Sequence, residues 1–173
     1  MPAFVTWRLW GSLPQTRVFS SEHLTSGEVF VVWDRILDNA RCGAVFLRQR
    51  TIAALVRDRL LVMAEGRLCS LHAYVVMPNH VHVLWTPQIA LCDLLRHVKG
   101  PTAREANKIL GRPGEQFWQE EYFDRLVRSE REFGQIRRYI EWNPVKAGLV
   151  AHPGAFEWSS AWEGKEELKP VAG

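Results

Sequence analysis

Apolar and polar residues alternate from Phe4 to Leu9, with Phe4, Thr6 and Arg8 on one side and Val5, Trp7 and Leu9 on the other. A period of two predicts a strand, and Gly11-Ser12-Leu13-Pro14 ends it. After Ser26-Gly27-Glu28 an apolar-rich run through Leu37 reads as a helix. From Ala44 to Ala64 the pattern changes to helical spacing, with Val45, Ile52, Leu55, Val56, Leu60 and Met63 recurring on one side. Gly66 closes that helix. Leu68 to Met77 and Val81 to Trp85 then read as two strands joined by Met77-Pro78-Asn79, a hairpin. Leu91 to Leu110 is a basic helical stretch that Pro101 is expected to interrupt. Tyr122 to Val127 reads as a short strand. Glu130 to Trp142 reads as a last helix, stopped by Asn143-Pro144 because a residue before proline resists the α region.

This order predicts an α+β fold, a ferredoxin-like antiparallel sheet with the helices packed on one face. The chain has 173 residues, enough for one domain, with residues 163–173 expected to be a disordered tail. Hydrophobic residues make up 47% and charged residues 24%, ordinary values for a globular protein. No apolar run approaches a membrane span, and the first residues lack the layout of a signal peptide, so a cytoplasmic protein is expected. Cys42, Cys69 and Cys92 show no paired spacing, which argues against a disulfide framework or a zinc knuckle. A formal charge of +3 gives only a mild hint of an anionic partner.

His80-Val81-His82 lies just after the hairpin turn. Residues two apart on a strand share a face, so the two imidazoles could share one metal ion. A short motif of this kind also fits a plain surface or core pair. Imidazoles alone would suit zinc or manganese. On the last helix, Phe133, Ile136 and Ile140 form an apolar stripe, and Tyr139 and Asn143 sit four apart along its edge. Such a tyrosine fits a half-buried packing residue as well as a phenol placed for chemistry. Basic residues cluster at Arg96, Lys99, Arg104 and Lys108, at Arg125 and Arg128, and at Arg137, Arg138 and Lys146. They could neutralise a nucleic-acid backbone or simply face water. Of the eight tryptophans, Trp118, Trp142 and Trp158 could stack on unpaired bases, although core packing is the usual fate of tryptophan.

Three segments together resemble the REP-associated tyrosine transposases, a group within the HUH endonucleases. They are Tyr74 to His82, then Phe117-Trp118-Gln119 with Tyr122-Phe123, then Tyr139 to Val150. Phe4 to Leu9 and Trp158-Ser159-Ser160 add to the resemblance, which runs from about residue 3 to about residue 162 and implies one domain with those bounds, residues 3–162. It implies a sheet whose central strand carries the metal-binding histidines His80 and His82, and a late helix that delivers the nucleophile, Tyr139. Asn143 falls where the family places a further metal-coordinating side chain. The implied activity is metal-dependent cutting and rejoining of single-stranded DNA near a small REP-type hairpin. The implied intermediate is a 5′-phosphotyrosine, with Mg2+ or Mn2+ as cofactor. Arg8, Arg96, Lys99, Arg104, Arg137, Arg138 and Lys146 are the basic residues expected on the DNA. The resemblance favours a monomer, with a dimer as the alternative. Two other readings stand beside it: a hairpin-binding protein that has lost cutting, and a metal-dependent hydrolase that uses water.

Overall fold

The computed structural model describes residues 1–13, 34–38 and 43–164. Seven main elements follow in order: β1 (Ala3–Leu9), α1 (Arg50–Glu65), β2 (Cys69–Val76), β3 (His80–Pro87), α2 (Leu91–Ile109), β4 (Trp118–Leu126) and α3 (Glu130–Lys146). Residues 34–38 are helical, which agrees with the end of the helix expected to run through Leu37. The start of that helix, His23, Cys42 and the tail from 165 onward lie outside the described residues. Cys69 and Cys92 are free thiols. Among the described residues no helix is long and apolar enough to cross a membrane.

The strands form one antiparallel sheet in the order β2-β3-β1-β4, the ferredoxin-like arrangement. β1 and β3 are central, and six of the eight β3 residues are buried. A strand covered on both faces reads as an almost continuous apolar run, which is why Val81 to Trp85 shows so little polar alternation. The covering layers differ. Val5, Trp7, Val81, Val83 and Trp85 face α1 and α2, packing on Ile52, Val56, Leu60, Leu94 and Val98. Phe4, Val75 and Leu84 face the other way, against Ile140 of α3. The expectation that all helices share one face is therefore corrected. An apolar stripe shows that a helix packs on a sheet but not on which side of it.

Tryptophan builds much of the first layer. Trp7 stacks on Trp85 with ring centroids 6.2 Å apart and meets Trp118 edge-on at 6.2 Å. Trp118 is buried and donates Nε1–H to Thr102 Oγ1, so it offers no surface to a nucleobase. Trp158 lies under the guanidinium groups of Arg50 and Arg57.

Both prolines expected to break helices lie inside them. Proline costs its helix one amide donor and orphans the carbonyl four residues earlier. For Pro101 that carbonyl belongs to His97, and Arg59 Nε from α1 donates to it at 2.7 Å. A tertiary contact thus replaces the missing bond, and α2 runs on to Ile109. Pro144 sits near the end of α3, which continues to Lys146. There Gly148, at φ +72°, permits the closing pair Gly148 N–H to Val145 O and Leu149 N–H to Pro144 O. At its start, Ser129 accepts from the Glu132 amide, an ordinary N-cap.

Ile140 is fully buried and ties α3 to the sheet. Ile140→Ala should destabilise the fold by about 2–5 kcal/mol in urea unfolding. A loss below about 1 kcal/mol would mean that α3 is not anchored there.

Candidate active site

On the α3 face of the sheet, His80 and His82 stand two apart on β3, both fully buried. Each ring is held from behind. Asn79 Nδ2 donates to the Leu37 carbonyl at 3.0 Å. That carbonyl can only accept, so the amide is oriented with Oδ1 toward His80 Nδ1, 2.7 Å away. His80 Nδ1 must then carry the proton, leaving Nε2 with a lone pair. Across the β1–β3 pairing, Thr6 is the register partner of His82, and its hydroxyl lies 2.7 Å from His82 Nδ1. The two Nε2 atoms consequently converge at 3.1 Å. Burial, followed by the neighbouring His82, holds the His80 pKa well below its ordinary value.

A carboxylate joins them. Asp34, on the helical segment 34–38, places Oδ1 3.0 Å from His82 Nε2 and 3.8 Å from His80 Nε2. Asp38, one turn on, has Oδ1 3.9 Å from His80 Nε2. Lys146 Nζ bridges the pair, 3.2 Å from Asp34 Oδ2 and 3.2 Å from Asp38 Oδ2. Burial pushes the Asp34 carboxyl up, but the hydrogen bond to His82 and the two imidazoles outweigh it and hold it low. Burial and the Asp34 charge instead raise Asp38 to about 6. Burial lowers the Lys146 ammonium, and the two carboxylates more than restore it, leaving it raised.

Tyr139 donates its hydroxyl proton to Asp34 Oδ2. Its ring stands 5.5 Å from the His82 ring and 6.0 Å from Phe4. Burial and the Asp34 and Asp38 charges raise the phenol above its ordinary value, so it keeps its proton while those charges are uncompensated. Asn143 is fully buried, with Nδ2 3.5 Å from His82 Nε2. Among the described residues its Oδ1 accepts no hydrogen bond.

The donor set fits a cation. Ligand atoms of Asp34, His80 and His82 all lie within 4.8 Å of one another, and two inward-facing imidazole nitrogens next to a carboxylate and an orphaned amide oxygen favour positive charge.

The structure thus brings together His80, His82, Tyr139, Asn143 and Lys146. Arg8 is close by: half-buried on β1, it is the register partner of His80. Arg96, Lys99 and Arg104 stand on α2, the opposite layer. There Arg96 pairs with Asp93, and Lys99 donates to the Gln119 and Glu120 carbonyls of the edge strand. Arg137 pairs with Glu141, and Arg138 lies over the Trp142 ring. Sequence reasoning did not assign Thr6, Asp34, Asp38 or Asn79 to the site. For the two acids a signal existed: carboxylates four apart in an apolar helical run share one face.

The model of the IS200-like transposases matches residues 45–143, a stretch that holds His80, His82, Tyr139 and Asn143 but neither Asp34 nor Lys146. A curated REP-associated tyrosine transposase from Escherichia coli (strain K12) is 23% identical over 109 residues, 61% of this chain. The match spans 62% of that relative, less than two thirds of its length. A solved structure of a REP-associated tyrosine transposase bound to a REP hairpin aligns with a TM-score of 0.61 at 20% identity. The alignment covers 99% of this chain and 85% of that one, and at this identity the likeness is one of fold.

Titration calorimetry with Mn2+ should register one site lost on His82→Ala and weakened strongly by Asp34→Asn. Asn79→Ala, which frees the orientation of His80 and releases the Leu37 carbonyl, should weaken it by about 10–100-fold. Unchanged affinity in Asp34→Asn would remove that carboxylate from the site.

Proposed function

This chain belongs to the IS200-like transposases, and from that premise we propose that it cuts and rejoins single-stranded DNA through Tyr139. The observation that carries the proposal is the convergence of the Tyr139 hydroxyl, Asp34 and both histidines in a single chain. Tyr139 Oη attacks the phosphorus in line, the P–O3′ bond breaks, and the strand leaves with a 3′ hydroxyl while its partner end stays on the enzyme as a 5′-phosphotyrosine. The ester retains the energy of the broken bond, so a 3′ hydroxyl from another strand reverses the step without a further energy source.

Each side chain has a part in this account. His80, His82 and Asp34 would hold a divalent cation, with the Asn143 carbonyl oxygen beside them. When bound, the cation supplies Lewis-acid polarisation of the phosphate and offsets the carboxylate charge that keeps the phenol protonated. A mixed nitrogen and oxygen donor set suits Mn2+ or Mg2+. Asp34 orients the phenol. Lys146 fastens the 34–38 segment to α3 and so keeps Asp34 in place. The substrate is single-stranded DNA beside a REP-type hairpin, as the relative bound to such a hairpin supports. A monomer is favoured because nucleophile and histidines come from one chain. The domain boundaries at residues 3 and 162 and a cytoplasmic site of action belong to the same proposal.

With labelled hairpin DNA carrying an unpaired flank, and Mn2+, the wild type should form a protein–DNA species that survives denaturation. Tyr139→Phe should form none and should cut at least about 10³-fold more slowly. Undiminished cutting by Tyr139→Phe would favour a water-using hydrolase, and binding without any cutting by the wild type would favour a hairpin-binding protein.

A further inference from the structure

The flank of α3 that faces water carries a pattern which the chemistry above does not use. Arg131, Gln135, Arg138 and Trp142 are all exposed, and at steps of four, three and four residues they line one side of the helix. Trp142 is 45% exposed. An indole left in water is costly unless it meets a partner, and the contrast with the buried Trp7, Trp85 and Trp118 is sharp. Arg138, one turn earlier, places its guanidinium 5.7 Å from the Trp142 ring centroid. That contact steadies the ring without covering it.

The charge of this stripe is of one sign. Among the described residues neither Arg131 nor Arg138 pairs with a carboxylate. Two nearby acids are engaged elsewhere, Glu132 by Arg125 at 2.7 Å and Glu141 by Arg137 at 3.0 Å. The stripe runs over twelve residues, from Arg131 to Trp142, roughly 16 Å of helix, long enough for more than one phosphate. Trp142 lies three residues after Tyr139, so the two rings are neighbours on the same helix.

We propose that this outward flank of α3 is a track for an unpaired DNA strand, on which one base stacks on Trp142 while neighbouring phosphates meet Arg138 and Arg131. The proposal rests on the DNA-cutting reading for its choice of strand, and it adds where that strand runs. Stacking on an aromatic face requires an unstacked base, so the track discriminates single strands from duplex without reading sequence. The arginines supply the salt-dependent part of the affinity.

The test scores binding alone. The Tyr139→Phe protein, in EDTA, is titrated with a dye-labelled twelve-nucleotide thymidine strand and with a duplex of the same length, and fluorescence anisotropy gives the affinities. Adding Trp142→Ala should weaken single-strand binding by about tenfold and leave duplex binding unchanged, with Trp142→Phe recovering most of the loss. Arg138→Gln and Arg131→Gln should each flatten the salt dependence by about one unit of slope. The inference is overturned if Trp142→Ala binds the single strand within twofold of its parent, if duplex binding falls in parallel, or if the parent fails to bind the strand. Failure of the cutting reading shows instead in the wild-type adduct assay, which this measurement does not use.

Discussion

Two imidazole nitrogens 3.1 Å apart, both sealed from water, cannot turn lone pairs on each other unless a proton or a cation lies between them. A proton on His82 Nε2, toward Asp34 Oδ1, would meet that need but would leave the carboxylate charge without a counter-ion. Asn79 and Thr6 engage both Nδ1 atoms, burial disfavours the charged form of His80, and two carboxylates share a single ammonium among them. The centre therefore carries an excess of negative charge in a low-dielectric setting, which a divalent ion would relieve. The placement of Tyr139, the path of the 34–38 segment and the length of α3 take on meaning around that imbalance.

The fold supplies the precision. His80 and His82 stand on a central strand clamped between two layers, so their backbone is among the least mobile parts of the chain. The tyrosine helix arrives on the same face and is pinned by Ile140. Because α3 continues past Pro144, Lys146 falls two turns beyond Tyr139 on the same flank and reaches both acids. A helix ending at Trp142 would have left Lys146 in a loop. The arginine that relieves Pro101 has a parallel effect on the other layer, keeping α2 whole where it supports the back of the sheet.

Much of this was legible in the residues. Alternation located β1, the hairpin placed the two histidines on one face, and i to i+4 spacing joined Tyr139 to Asn143. What escaped had physical reasons. Proline predicts a helix break only when nothing else satisfies the orphaned carbonyl, and Arg59 is far away in sequence. An apolar stripe does not say which face of a sheet it covers, so α3 was placed with the other helices. Arg96, Lys99 and Arg104 formed a basic cluster on paper, yet their helix lies behind the sheet, and Lys99 donates to the backbone of the edge strand. Asn79 looked like a turn residue, and its role depends on the Leu37 carbonyl, a partner 42 residues away. Asp34 and Asp38 were the readable omission, two acids one turn apart in an apolar run.

The most direct check is a manganese-soaked crystal examined by anomalous diffraction at the metal edge. One strong peak is expected, bounded by His80 Nε2, His82 Nε2 and an Asp34 oxygen, with the Tyr139 hydroxyl of the same chain beside it. Manganese found only at surface carboxylates, with the two imidazoles left facing each other, would contradict it.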